Sequence, residues 1–446
     1  MTRPSTHAVI LGASIAGLLA ARALSDTFGT VTVIDRDDLT GTGPRKGVPQ
    51  GRHAHMLFAK GREVLEDLFP GLTGELVAAG ALTVDVQAGF AWHNGPNPMA
   101  RAASDLVVLA VSRPALEDYL RARVGKLPNV ALRGGLEATG LLHDPDTGGG
   151  TVTGARVVPA GAGPGGAAAI VIEELRADLV VDATGRGNRG TTWLGELGYA
   201  PPEQDSVMAG VVYATREYER RPLASGMLGV LTGVTPEYPY GAALLPMEGD
   251  RWILTLAGLG DDLPPTDEAG FAAYATRLPI GDLAEVVHGA RPLGPARPFR
   301  VPASVRRRYE RIPRHPEGFL AFGDAICAFN PIYGQGMTVA ALEALELRAA
   351  VAGGLDGLPR RFYARASKVI DTPWDMAVGG DLAFPSVPGR RTAKIRFFNW
   401  YIAKLLRAAE TSPEVAVAFH RTVNLTAPPE RLFAPAILRR VFLGRP

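Results

Sequence analysis

Two hydrophobic rhythms alternate along this chain. Short apolar runs bounded by Gly, Pro, Asp or Ser predict buried strands over residues 8–11, 31–34, 106–111, 179–182 and 319–322. Longer stretches with apolar residues three and four apart predict helices over 15–25, 55–68, 115–124, 268–277, 337–351, 359–374, 391–409 and 413–423. A short last helix is predicted after Pro429. Between them, shorter β segments are expected over 82–86, 90–93, 130–133, 152–158, 169–175, 207–215, 227–234, 242–245 and 252–256. The pattern is α/β at its start, β-rich in the middle and helical after residue 355.

The first strand and helix are joined by Gly12-Ala13-Ser14-Ile15-Ala16-Gly17, and the second strand ends at Asp35. This strand–turn–helix–strand unit suits a dinucleotide. Gly12 permits the sharp turn, and the helix N-terminus presents free N–H groups to a diphosphate. Gly17 lets the helix lie close on the sheet. Asp35 is placed to accept hydrogen bonds from a ribose. Ser14 stands where the pattern has its middle glycine and brings a hydroxyl donor of its own.

The loop after Asp35 holds Arg36, Arg45, Lys46, Arg52, His53 and His55, and its cations are candidates to reach a phosphate. His53 and His55 have no third ligand spaced to complete a metal site, so no metal is expected. His53 is instead a candidate acid or proton relay. Ser112-Arg113-Pro114 opens a helix, and Arg113 at that corner is a further candidate for phosphate. The glycine-rich stretch 161–166 is read as a hairpin tip, since no helix follows it. Residues 297–314 contain seven arginines and read as a solvated segment with some ion pairs.

A second strand–loop–helix unit begins at Phe319. Its strand ends in Gly323-Asp324, and the loop Asn330-Pro331-Ile332-Tyr333-Gly334-Gln335-Gly336 leads into the helix from Met337. Asp324 can bond a polyol hydroxyl, and the glycines let backbone N–H groups approach a ligand. Residues 394–402 are amphipathic and aromatic, and packing over the body or the pocket mouth is expected rather than a membrane surface.

Composition narrows the partners. A net charge of +2, 46% hydrophobic and 21% charged residues suit an ordinary globular chain without a nucleic-acid partner. A single cysteine excludes intrachain disulfides and fits a reducing cytoplasm. No signal peptide and no membrane span are expected, so the location read is cytoplasmic.

GASIAG with Asp35, VVDATGRGNR and FGDAICAFNPIYGQGM together resemble the three motifs of the flavin monooxygenases of the p-hydroxybenzoate hydroxylase fold, over most of residues 1–355. RKGVPQGRHAH, DATGRG and FNPIYGQGM look most like the bacterial polyether-type polyketide epoxidases. They are also similar to squalene epoxidase, more distantly, and to flavin-binding [4+2] cyclases. The resemblance implies an α/β fold (α+β overall). Its Rossmann-type FAD-binding domain would span 1–75, 106–200 and 300–355, interleaved with a β-sheet substrate domain over 76–105 and 201–299. A helical region would follow over 356–446. It implies FAD contacts at Gly12, Ser14, Ile15, Ala16, Gly17, Asp35, Arg36, Arg45, Arg113, Asp324, Gly334, Gln335, Gly336 and Met337. Pro331, Gly334 and Gly336 would lie beside the flavin ring, with His53 near its reactive face.

The implied reaction moves one oxygen atom from a flavin hydroperoxide to a lipophilic natural-product intermediate, as an epoxidation of a polyketide or terpenoid alkene. With no clear candidate base in 205–260, an alkene is favoured over a phenol. The alternatives are a non-redox [4+2] cyclase, an aromatic hydroxylase, a prenyl reductase and a non-enzymatic flavin module. Thr184 stands where the family motif has Asp, and no second nucleotide fingerprint exists. Electrons would come from a transient NADPH visit or a partner flavin reductase.

Overall fold

In the computed structural model, residues 5–147, 150–161, 172–187 and 189–444 are described. Five strands form a parallel sheet in the order Phe319–Ala321, Leu179–Asp182, His7–Leu11, Thr30–Ile34, Val130–Arg133. Its strands read as continuous apolar runs because both faces are covered. Helices Ile15–Ser25 and Gly336–Val351 pack on it, and their alanine-rich contact lets the backbones approach closely. Gly17 instead lets the first helix close on the strand and turn before it, since a Cβ there would sit 1.8 Å from the Gly12 carbonyl oxygen.

A seven-stranded sheet runs Arg297–Val301, Val211–Glu219, Arg251–Gly258, Tyr240–Met247, Val230–Gly233, Ala91–Asn94, Asn97–Pro98. All its pairs are antiparallel except the one between Val230–Gly233 and Ala91–Asn94. Its own core is built around Trp252, Phe271, Leu244 and Leu254. The C-terminal helices Leu358–Asp381, Ala393–Ala409, Pro413–Val423 and Pro435–Leu443 complete the chain. No helix among the described residues is long and apolar enough to cross a membrane.

Several expectations are corrected. The helix predicted from residue 55 starts at Ala59, because Met56–Leu57 pairs with Val107–Ala110 as a strand. The strand expected over 207–215 is two, Gln204–Val207 and Val211–Glu219, which join different sheets on either side of Gly210 at φ +63°. Strand Leu136–Asp144 and helix Gly281–Gly289 were not foreseen; mixed polar and apolar residues blur both periods. Of 169–175 only Glu173–Arg176 is a described strand, and from residue 162 the hairpin tip lies outside the described residues. Helix Leu358–Asp381 continues through Pro373 to a buried acid.

The arginine-rich segment is the largest departure. It forms strands Arg297–Val301 and Ser304–Arg307, with Arg306 1% and Arg307 4% exposed. Arg306 pairs with Asp371 at 2.6 Å and Glu310 at 3.2 Å, while Arg307 donates to the carbonyl of Ala325 at 3.0 Å. Buried guanidinium groups survive only with such partners.

Gly17→Ala should lower stability by about 2 kcal/mol or more, because the obstacle is backbone that cannot rotate aside. Urea unfolding measures this; a midpoint equal to wild type would show that the first turn is looser than described.

Candidate active site

One cavity of about 1850 Å³ is lined by Gly12–Ala16 residues of the first turn, by the 331–337 loop and by the seven-stranded sheet. Single small-molecule sites usually span roughly 300–1,000 Å³, so this one has room for a dinucleotide and a second molecule. The first turn and the Gly323-Asp324 corner meet in its wall. A Cβ at Gly12 would lie 2.6 Å from the Ala183 carbonyl oxygen, and one at Gly323 would lie 2.7 Å from Ala16 Cβ. Both glycines have positive φ, +106° and +63°. Helices Ile15–Ser25 and Gly336–Val351 both begin at this cavity, and neither carries a side-chain cap. Their first-turn N–H groups are therefore free for an anion or a polarised oxygen.

Of the residues singled out in the sequence, Gly12, Ser14, Ile15, Ala16, Asp35, Arg36, His53, Arg113, Asp324, Pro331, Gly334, Gln335, Gly336 and Met337 all line this cavity. Gly17, Arg45, Lys46 and Arg52 do not. Gly17 acts in helix packing, as described above. Arg45, expected to reach a phosphate, is turned inward instead: it pairs with Asp35 at 3.0 Å and with Glu117, and donates to the Ala13 carbonyl at 3.0 Å. A carboxylate left unpaired beneath the turn would be costly, and Arg45 prevents that.

Ser14 is also committed to the protein. Its hydroxyl donates to Glu117 at 2.9 Å and accepts from Arg113 at 3.0 Å. Asp35 accepts from the Ala13 N–H at 2.7 Å and the Asp37 N–H at 2.9 Å, so the second strand end fixes the turn while still lining the cavity. Glu117, which ties Arg45, Ser14 and Arg113 together, was missed. Its spacing four residues after Arg113 was the available signal.

Asp182 of the middle motif does not line the cavity. It is buried, accepts from the Thr184 N–H and hydroxyl and from the Gly190 N–H, and so holds the turn into helix Arg189–Glu196. Thr184, Gly185 and Arg186 do line the cavity. Arg186 donates to the carbonyls of Ala303 and Phe329 and lies 3.9 Å from Asp324.

The 331–337 loop is clamped from behind. Buried Asp381 accepts from Tyr333 Oη and Asn330 Nδ2, both at 2.9 Å, and from Ser304 Oγ at 3.2 Å. Gln335 Nε2 donates to the Val423 carbonyl at 3.1 Å. Gly334 adopts φ +67° against Phe58, whose ring tip a Cβ would meet at 2.7 Å. Asp381 had no local signal, being 48 residues from Tyr333.

His53 is fixed by a hydroxyl relay. The Ala54 N–H donates to Thr255 Oγ1 at 2.9 Å, Thr255 and Thr215 hydroxyls are 2.7 Å apart, and Thr215 Oγ1 is 2.8 Å from His53 Nδ1. The order that satisfies every atom runs Thr255 to Thr215 to Nδ1, leaving the ring proton on Nε2. Burial, with Arg297 and Arg52 nearby, lowers the His53 pKa to about 4. The ring is thus a neutral donor at pH 7, stacked 4.8 Å from Phe299.

The fold and this cavity define a class. The flavin-dependent brominase Bmp2 superposes with a TM-score of 0.68 and 17% identity over 94% of each chain. p-Nitrophenol 4-monooxygenase PnpA from Pseudomonas putida DLL-E4 gives 0.61 and 18%, covering 95% of this chain and 99% of PnpA. The Diels-Alderase PyrE3 of pyrroindomycin biosynthesis gives 0.61 and 17%, covering 94% and 80%. The chain thus has the fold of the FAD-dependent monooxygenases. It belongs to the family of Protein Rv3254 of Mycobacterium tuberculosis (strain ATCC 25618 / H37Rv), at 34% identity over 95% of this chain and 90% of that protein. No protein-family profile matches the chain.

Beneath the Gly323-Asp324 corner, Glu343 is fully buried. Its Oε2 accepts from the Gly323 N–H at 2.8 Å, while Oε1 has no hydrogen-bond partner. Burial raises its pKa from 4.5 to about 8. Between those values the unfolded chain releases a proton that the folded chain keeps, so stability falls as pH rises, by up to about 1.4 kcal/mol per pH unit. His53, His55 and His420 act oppositely. Burial lowers them from 6.5 to about 4, 3 and 3, so their cost grows as pH falls below 6.5. Melting temperature should therefore peak near pH 6.5 and decline toward pH 8. Glu343→Gln keeps an acceptor for Gly323 and should level that decline. An unchanged decline in the variant, by calorimetry, would assign it to other groups.

Proposed function

We propose that the cavity binds FAD and that the chain is a monooxygenase delivering one oxygen atom to a lipophilic natural-product intermediate, with epoxidation of a polyketide or terpenoid alkene preferred. The observation that carries this reading is one cavity joining two uncapped helix N-termini to an apolar chamber. The residues fit the cofactor. Free N–H groups at Ile15 and Ala16 suit a diphosphate, Asp35 and Arg36 a ribose, Asp324 a polyol, and Arg113 a phosphate. Reduced FAD, when bound, supplies the oxygen-activating chemistry.

The chain's own part is to orient, shield and donate. N–H groups of Gln335 to Met337 offer hydrogen bonds to a polarised oxygen, on a loop that Asp381 keeps from moving. Tyr213, Phe299, Leu245 and Ile332 help to exclude water. His53 offers an Nε2–H donor, but with a pKa of about 4 it is too weak a base to take a phenol proton at neutral pH. That favours an alkene. The likeness to PyrE3, a Diels-Alderase, supports one second reading, a cyclase acting without net redox change.

The deciding experiment is anaerobic reduction by NADPH, with and without an added flavin reductase, followed by admission of air. Bleaching and then reoxidation are expected, with a product one oxygen atom heavier than its precursor. A flavin that stays oxidised in both mixtures, with a product of unchanged mass, would replace the oxygenase by the cyclase. Asp324→Ala should weaken FAD retention about tenfold, as the loss of one charged hydrogen bond implies. Full flavin content after gel filtration would remove Asp324 from the site.

A further inference from the structure

Helix Ala393–Ala409 has three unlike sides. Phe398, Asn399, Ile402 and Leu406 line the cavity. Tyr401 and Leu405 are buried against Val415, Ala416 and Leu432. The third side carries Phe397, Trp400 and Lys404, flanked by Arg396 and Arg407 at the cavity rim, all exposed. Phe397 is 51% and Trp400 48% exposed, and beside them helix Pro435–Leu443 leaves Phe442 50% and Leu443 64% exposed. The rings form one patch: Phe397 to Trp400 is 5.8 Å and Trp400 to Phe442 6.0 Å between centroids. Apolar groups this large are normally covered when they adjoin one another.

The charge around the patch is predominantly positive. Residues 382–409 contain six cations and no acid, and helix Pro435–Leu443 adds Arg439 and Arg440. Lys394 and Arg440 are paired, with Asp375 and Glu414. Arg396, Lys404, Arg407 and Arg439 have no carboxylate within ion-pair distance among the described residues. Lys404 holds its ammonium 5.4 Å above the Trp400 ring, a pairing that keeps a cation at the edge of an apolar surface.

We propose that this surface docks on an anionic lipid bilayer, with Phe397, Trp400, Phe442 and Leu443 entering the headgroup region and the cations bound to phosphates. A protruding apolar set ringed by an excess of cations matches a layer of negative headgroups over acyl chains. Because the same helix walls the cavity, a lipophilic molecule dissolved in the bilayer would reach the chamber past one helix rather than through water. Docking stands apart from the reaction proposed above, since it needs no flavin.

The test is flotation of the full chain with vesicles of equal phosphatidylglycerol and phosphatidylcholine, against vesicles of phosphatidylcholine alone. Wild type should float with the anionic vesicles and be released by high salt. Phe397→Glu with Trp400→Glu should reduce the bound fraction about tenfold or more, since two apolar groups become charges. Leu293→Glu, at an exposed site outside these helices, should leave it unchanged. A second variant, Arg396→Gln with Lys404→Gln and Arg407→Gln, leaves the apolar set intact and should also abolish flotation. Wild type remaining at the bottom would overturn the proposal, as would variants that float like wild type. Loss of a wild-type dimer in the aromatic variant, without flotation of wild type, would reassign the patch to self-association.

Discussion

Close approach of backbone to backbone at the ends of the parallel strands governs the rest of this structure. Gly12 faces the Ala183 carbonyl and Gly323 faces Ala16 at separations that leave no room for a Cβ. Three segments far apart in sequence are thereby forced into one wall. The cost is a concentration of peptide dipoles and free N–H groups with no secondary-structure partners. The chain meets it with carboxylates placed underneath. Asp35 takes the Ala13 N–H, Glu343 takes the Gly323 N–H, and Asp182 takes the Thr184 and Gly190 N–H groups. What stays unpaired is on the cavity side, where a ligand can use it.

That arrangement explains which parts were legible. The turn from Gly12 to Gly17, the strand end at Asp35 and the loop from Asn330 to Gly336 are local motifs, whose glycines and helix starts announce themselves within a few residues. Their convergence on one cavity follows from parallel strands pointing the same way. The supports were not legible. Asp381 reaches Asn330 and Tyr333 from the end of another helix, and Thr215 and Thr255 reach His53 from two neighbouring strands. Nothing local to His53 distinguishes a held, neutral ring from a solvated one. Arg45 shows the converse: its position in a basic loop suggested a ligand, while two carboxylates on other elements decided its direction.

The arginine-rich strand carries the same lesson in charge. By composition, residues 304–308 should face water, but their alternation places Arg306 on Asp371 and Glu310, and Arg308 on Asp205. Strand Ser304–Arg307 joins the strands Gln204–Val207 and Cys327–Ala328, and Ser304 accepts from the Asn330 N–H. An apolar strand could have filled the volume. Arg307, between the two paired arginines, binds the carbonyl of Ala325, just after Asp324, so the strand fixes the corner as well as covers it.

Rigidity is unevenly distributed around the cavity, and that bears on how a bulky guest could enter. The wall shared by the first turn, the Gly323 corner and the 331–337 loop is held by buried charged hydrogen bonds on several sides. Helix Ala393–Ala409 is held mainly by apolar contacts of Tyr401 and Leu405 along one face, with few directed bonds: Tyr401 Oη to the Leu432 carbonyl, the Ala100 N–H to the Ala409 carbonyl, and an exposed Lys394–Asp375 pair. Apolar contacts lack direction, so a helix can slide or tilt on them at smaller cost than a carboxylate can abandon its donors. This helix can therefore yield more readily than the 331–337 loop. The oxygenase proposed above, in which reacting groups are held still and a large apolar molecule is admitted, needs that division.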